Sequence, residues 1–380
     1  MTADKAVEGI RALDPSSDVG VLCAESNPPY KRPLLSKGLW KGESPDTVWL
    51  TAAKEKADLH LASVATAIDR GKKVVRDNHG NEYVFEKLLL ATGGRVRKLP
   101  NDQEGIIYFR TFSDYTSLRS ISEKGERFLV IGGGFIGSEL AAALSMNGKH
   151  VTMVFPDGAI GEKIYPRGLS RFITEYFGAK GVAVRTGEKV TSIARHGTGF
   201  SAATSGNQTL DVDAIVVGIG IQPNTELAQS AGLEVVNGII VDEYLRTSHP
   251  EIYAAGDVAN FFNPALGTRM RVEHEDNANA MGNRAGRNMA GENLAYDHLP
   301  FFYSDLFDLG YEAVGELDSN LETVENWKEK HREGVVYYLR DGVVRGVLLW
   351  NTWGQVDNAR RLIASKTVVT KKSIKELLPA

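Results

Sequence analysis

The sequence predicts a three-layer α/β protein. Two domains are built on parallel sheets, the second inserted in the first, and a small α+β domain follows. Three observations carry this reading. A glycine run at residues 132–137 sits in mid-chain, between an apolar strand and an amphipathic helix. The stretches on either side of it repeat one plan of helix, strand and short β-meander. From about Pro300 the texture changes to alternating apolar and polar residues, with a hairpin turn at Asp341-Gly342.

The glycine run reads Val130-Ile131-Gly132-Gly133-Gly134-Phe135-Ile136-Gly137-Ser138-Glu139, directly after Phe128-Leu129. Gly132, Gly134 and Gly137 suit a tight turn, the close approach of backbone to a pyrophosphate, and close helix–strand contact. The helix through Leu140 and Leu144 would aim its N-terminus at the phosphates. This is the fingerprint of a Rossmann-like dinucleotide-binding domain. Its next strand, Val151 to Phe155, ends at Asp157. A carboxylate there suits the adenosine ribose hydroxyls and repels a 2′-phosphate, which favours NADH over NADPH. Asp157 equally suits a turn ahead of Gly158. Phe135 could stack on nicotinamide or pack between helix and sheet.

The first domain has the same parts. Ala3, Ala6, Val7, Ile10 and Leu13 recur at helical spacing, and Asp14-Pro15 stops that helix. Val19 to Cys23 reads as a short buried strand, and Glu25 beyond it is placed to hold a ribose. The first strand and glycine loop of this unit would precede Met1, so the domain is expected to be incomplete at its N-terminus. Val74-Val75-Arg76, a turn at residues 77–80 and Tyr83-Val84-Phe85 form its meander. Leu88-Leu89-Leu90 then runs into Thr92-Gly93, as Ile215-Val216-Val217 later runs into Gly220. Ile252 to Asp257 is a strand ending in Gly256-Asp257 that belongs with the first domain. The expected domains are therefore 1–112 with 236–300, 113–235, and 301–380. In the last of these, helices are expected near Asp357 to Ala364 and near Lys372 to Leu378.

Composition narrows the class. A net charge of −4 argues against a nucleic-acid or anionic-membrane binder. No apolar run approaches the length of a membrane span, and no leader is visible, so a cytoplasmic protein is expected. The single cysteine, Cys23, excludes a CxxC redox pair, an internal disulfide and a thiolate metal site. It reads as a small buried hydrophobe. No histidine spacing suggests a metal, and none is expected.

Nearly the whole chain resembles the two-dinucleotide flavoprotein reductases, and within them the apoptosis-inducing factor group. Pro29-Tyr30-Lys31-Arg32-Pro33-Leu34-Leu35-Ser36-Lys37 resembles the loop that carries a flavin-contacting arginine and lysine. Arg110 and Gly256-Asp257 match further flavin contacts. These motifs are shared with ferredoxin and rubredoxin reductases. Phe155-Pro156-Asp157 with Lys163, Val272-Glu273-His274, Tyr337 to Asp341 and Leu349-Trp350-Asn351 favour the apoptosis-inducing factor group. Tyr303 stands where that group has tryptophan, and a long insertion of the animal proteins is absent between Ser319 and Val335.

The resemblance implies FAD held by Glu25, Arg32, Lys37, Thr92, Gly93, Arg110, Gly256, Asp257, Glu273 and His274. It implies NADH held by the glycine loop, Phe135, Glu139, Asp157, Lys163, Gly220, Glu273 and Tyr303. Lys37 and Glu139 are expected as a pair beside the reactive end of the flavin, with His274 tuning its edge. One of Glu273 and His274 could instead cap the helix that follows. Electrons would pass from NADH through FAD to a quinone, to oxygen or to a small redox protein. Two other readings are a ferredoxin or rubredoxin reductase and an NADH-sensing interaction protein that dimerises on reduction. An inert truncation product is a third.

Overall fold

The computed structural model describes residues 1–370 and 373–378. The chain forms two compact units, each discontinuous in sequence. One comprises Met1–Arg32, Pro45–Arg95 and Gln222–Phe301. The other comprises Pro33–Ser44, Val96–Ile221 and Phe302–Ala380. The divisions differ from the expected ones at 112, 235 and 300. The expected NAD-binding and C-terminal domains share one unit, and that unit also takes the short segment Pro33–Ser44 from the expected flavin domain.

In this larger unit five parallel strands lie in the order Ala183–Thr186, His150–Phe155, Arg127–Ile131, Ala214–Val217, Ile107–Tyr108. After the exposed Arg127 the central strand is apolar because both its faces are covered, and Phe128, Leu129 and Val130 are wholly buried. The helix Phe135–Met146 follows it and is buried from Gly137 to Leu144, as its alanine- and leucine-rich sequence requires. Phe112–Lys124 begins at a capping box, in which Thr111 and Asp114 satisfy each other's backbone N–H groups. A three-stranded antiparallel meander, residues 190–212, leads back to the sheet.

The C-terminal part of the same unit is a five-stranded sheet, ordered Phe301–Leu306, Leu309–Gly315, Val343–Trp350, Glu333–Arg340, Glu322–Glu329. Its hairpin turns at Asp341 and Gly342, with φ of +53° and +75°. This is the positive-φ pair that an Asp-Gly turn supplies. Helix Val356–Ser365 packs on the sheet. Of the final helix expected near Lys372 to Leu378, the structure has a short 3-10 turn, Ser373–Glu376; Lys372 lies outside the described residues.

In the smaller unit, helix Thr2–Leu13 packs along Glu275–Met289. The two backbones touch: a Cβ on Gly286 would lie 2.0 Å from the Ala6 carbonyl oxygen. Thr2, Ala6 and Gly9 lie against that helix, while Leu13, expected on the apolar stripe, is exposed. Gly282 meets Thr2 and Gly286 meets Ala6, so Leu13, two turns beyond Ala6 on the same face, lies past the end of the neighbour helix at Met289. The parallel pairings of this unit lie in separate sheets: Gly20–Cys23 with Asp58–Leu61, Leu88–Leu90 with Ile252–Ala254, and Gly238–Ile240 with Ala259–Asn263. Gly20–Cys23, expected to be buried, is only half-buried or exposed along its length. Cys23 is half-buried, and burial pushes its thiol up.

The meander of this unit, residues 65–84, is pinned by one carboxylate. Asp77 accepts from Ser63 Oγ, His79 N, Asn81 N and Asn81 Nδ2 at 2.9 Å, and from Tyr83 Oη at 3.0 Å. Burial alone would push its carboxyl up, but the donors outweigh burial and hold it well below the usual carboxylate range. A folded-state pKa that is depressed stabilises the fold above the unfolded value, about 4, and less as pH falls below it. Asp77→Ala therefore lowers the melting temperature at neutral pH, and the gap to wild type narrows at about pH 3. A gap of constant width across that range would show that the carboxylate's charge contributes nothing.

Candidate active site

The glycine loop of the larger unit is as tight as backbone allows. Gly132 has φ +125°, and a Cβ on it would lie 2.3 Å from the Gly218 carbonyl oxygen. A Cβ on Gly137 would lie 2.1 Å from the Gly132 carbonyl oxygen. Gly134 differs: it opens helix Phe135–Met146 without a side-chain cap, and the space beyond its Cβ position is open. The loop thus commits Gly132, Gly137 and Gly133, which meets the Phe155 ring, to internal contact and leaves Gly134 facing outward, where a pyrophosphate would approach.

The expected nucleotide contacts lie in the same unit. Asp157, just past strand His150–Phe155, pairs with Lys163 at 3.2 Å, and both are partly exposed. Gly220, at φ +91°, follows strand Ala214–Val217. Phe135 is 36% exposed, and its ring meets Phe302 edge-on at 5.3 Å. It packs against the C-terminal sheet and presents its remaining surface to solvent.

One turn into the helix, Glu139 is only 3% exposed. Lys37 Nζ donates to Glu139 Oε1 at 2.7 Å, and the lysine side chain is 10% exposed. Ser304 Oγ donates to the same oxygen at 2.6 Å, and Ser36 Oγ donates to Oε2 at 2.6 Å. The Lys37 ammonium also sits 5.1 Å from the Tyr303 ring centroid, within cation–π range. Such burial rules out a pair of loose surface charges. Lys37 reaches this position because the chain runs through two short 3-10 turns, Arg32–Ser36 and Gly38–Lys41, with Lys37 between them. Trp40 Nε1 donates to the Leu35 carbonyl at 2.8 Å and locks the pair of turns. The sequence singles out Lys37, Glu139 and Tyr303, which the structure brings together, but not the two serines. Serine carries no spacing signal, and Ser304 contacts a residue 165 positions away.

The smaller unit carries most of the residues expected to hold the flavin. Glu25 accepts from Tyr30 Oη at 2.6 Å and is paired with Arg32, whose guanidinium lies 4.8 Å from the Tyr30 ring centroid. Gly256 has φ +77°, and a Cβ there would strike Thr2 Oγ1 at the start of helix Thr2–Leu13. Next to it, the Asp257 carbonyl accepts from Arg271 Nη1 at 3.0 Å, and the same nitrogen lies 2.7 Å from Glu273. His274 occupies the N-cap position of helix Glu275–Met289 and makes no side-chain cap bond. Thr92 and Gly93 are tied to Asn224 by hydrogen bonds of 2.8 to 3.0 Å. Arg110 belongs to the larger unit, where its backbone N–H donates to Asp114 at 3.0 Å.

This donor set fits FAD. The Glu25–Arg32 pair brings together a carboxylate of the kind that holds a ribose and a guanidinium of the kind that meets phosphate, and a helix N-terminus faces a glycine turn that leaves no room for a side chain. Among the described residues no cluster could hold a metal ion, and no helix is long and apolar enough to cross a membrane.

A fold of this kind, with a dinucleotide loop leading to a buried Lys–Glu pair, defines a class of redox protein. The chain belongs to the pyridine nucleotide-disulphide oxidoreductase family, whose model matches residues 6–282. The C-terminal model of the mitochondrion-associated apoptosis-inducing factors matches residues 285–333 and 325–365. The ferredoxin–NAD(+) reductase component of an anthranilate 1,2-dioxygenase system, from Burkholderia cepacia, is 34% identical over 96% of this chain and 92% of its own. Apoptosis-inducing factor 1 of Dictyostelium discoideum is 32% identical over 96% of this chain and 76% of its own. Among solved structures, the putidaredoxin reductase–putidaredoxin complex matches with a TM-score of 0.92 at 27% identity, covering 98% of this chain and 93% of that one.

Proposed function

We propose that this chain is an FAD-dependent NADH oxidoreductase that delivers electrons to a small redox protein. The observation that carries the proposal is the buried Lys37–Glu139 pair, held in the same unit as the Gly132 loop and one helical turn beyond it. Two relatives support the acceptor class: one is named as a ferredoxin–NAD(+) reductase component, and another was solved joined covalently to putidaredoxin.

The residues divide the work. Gly132, Gly134 and Gly137 let the pyrophosphate of NADH reach the helix N-terminus. Asp157 takes the adenosine ribose, and Phe135 offers a ring face at the mouth of the loop. Glu25, Arg32 and the Gly256-Asp257 turn hold FAD. Bound FAD supplies a two-electron acceptor for hydride that can release its electrons singly. Lys37 supplies fixed positive charge where negative charge develops, and Glu139 keeps the ammonium oriented.

Hydride transfer is measured by mixing purified protein with NADH and following loss of the oxidised flavin absorbance. The expected result is rapid bleaching, then reoxidation that a small iron–sulfur protein accelerates far more than oxygen or a quinone does. If NADH leaves the flavin oxidised, the proposal fails. NADH should also be preferred to NADPH by at least roughly tenfold, about 1.4 kcal/mol, because Asp157 opposes a 2′-phosphate. Equal rates with the two nucleotides would show that Asp157 serves only its turn and Lys163.

A further inference from the structure

The strand Phe301–Leu306 touches three expected site residues with three consecutive side chains. Phe302 meets Phe135 at 5.3 Å, Tyr303 lies 5.1 Å from the Lys37 ammonium, and Ser304 donates to Glu139 at 2.6 Å. On the other side, Ser36 donates to the second oxygen of Glu139 and is the chain neighbour of Lys37. Both serines are buried, at 4% and 1% exposure. Neither is among the residues expected to hold a nucleotide.

The surroundings are dry. Tyr165 and Tyr311 are wholly buried nearby, meeting edge-on at 5.7 Å. Burial pushes both hydroxyls up, with the Glu139 charge adding to the effect. In such a place a carboxylate bonded through one oxygen could still rotate about its last torsion, and the ammonium would follow it. Here Oε1 takes Lys37 and Ser304, while Oε2 takes Ser36. Held at both oxygens, the carboxylate plane is fixed, and so is the point at which it holds the ammonium. Three segments far apart in sequence meet at this one group.

We infer that Ser36 and Ser304 are positioning residues, a two-sided clamp on Glu139 that fixes the Lys37 ammonium for hydride transfer. This rests on the reading of the chain as an NADH oxidoreductase. The C-terminal sheet is then part of the reaction site, through Ser304.

The test is a double-mutant cycle in the full chain with its flavin, pairing Ser304→Ala, and separately Ser36→Ala, with Glu139→Gln. In the wild-type background each serine change slows flavin reduction at saturating NADH about tenfold, while NADH affinity changes less than about threefold. In the Glu139→Gln background the same changes cost less than about threefold, because the carboxylate charge through which they act on the ammonium is gone. The melting temperatures of the same variants form a second cycle, in which the serine loss shrinks in the Gln background. Equal losses in the two backgrounds overturn the clamp, as does a loss confined to NADH affinity. If the wild-type flavin is not reduced by NADH at all, the oxidoreductase reading fails. The melting-temperature cycle then still shows whether the serines act through Glu139.

Discussion

Lys37→Ala slows hydride transfer from NADH by roughly tenfold to a thousandfold, the scale for removing one preorganised electrostatic contact. The change also destabilises the fold. Removing one partner of a buried ion pair typically costs about 3–5 kcal/mol, because the other charge remains desolvated. Glu139 keeps Ser36 and Ser304, so the loss here should fall near the lower end. Glu139→Gln is gentler on the fold, because the amide still accepts from a serine. It also slows hydride transfer, because the ammonium loses the carboxylate that orients it, and it weakens NADH binding. Stopped-flow reduction and thermal melts of both variants decide the matter. Wild-type values for Lys37→Ala on both counts would mean that the pair has no part in the chemistry.

Gly137→Ala has an effect of comparable size by another route. Its Cβ would sit 2.1 Å from the Gly132 carbonyl oxygen, so the helix must move away from the loop. Overpacking of this kind costs about 1–3 kcal/mol, and the displaced loop should bind NADH at least about tenfold more weakly. Gly134→Ala makes the sharper comparison. Gly134 has φ −88°, and nothing lies within 4 Å of its Cβ position, so the fold accepts alanine without strain. Its methyl group instead occupies the side from which a pyrophosphate approaches. Gly134→Ala should therefore keep the wild-type melting temperature and lose NADH affinity, whereas Gly137→Ala loses both. Unchanged NADH affinity in Gly134→Ala would place the nucleotide elsewhere.

Much of this was legible because local chemistry fixed it. The Gly132 loop is bounded by an apolar strand and a helix, and its glycines have backbone reasons that spacing alone conveys. The Asp341-Gly342 turn sits between alternating runs, and both residues have the positive φ that their types allow. What sequence could not convey was assembly. Residues 33–44 look like a continuation of the Glu25 domain, yet they pack with the Gly132 domain. Residues 301–380 read as an independent domain because they have their own strand pattern; from Phe302 on, their contacts place them in the unit that holds Glu139. Leu13 was misjudged because helical periodicity marks an apolar stripe but not where its neighbour helix ends. The two serines were invisible for a related reason. A hydroxyl that serves a carboxylate three segments away leaves no trace in its own neighbourhood.

The three-segment clamp on Glu139 also bears on how the chain can be made and cut. Emerging from a ribosome, the polypeptide exposes Ser36 and Lys37 first, then the glycine loop with Glu139, and Ser304 only after most of its length is complete. Until then the carboxylate lacks one of its three donors. A nascent chain stalled before residue 304 therefore has a reason to stay loose around Glu139. For the same reason, an excised fragment 96–221 would keep every glycine of its nucleotide loop and lose every partner of its buried acid. The nucleotide domain of this chain is contiguous on the page but is not a transplantable module.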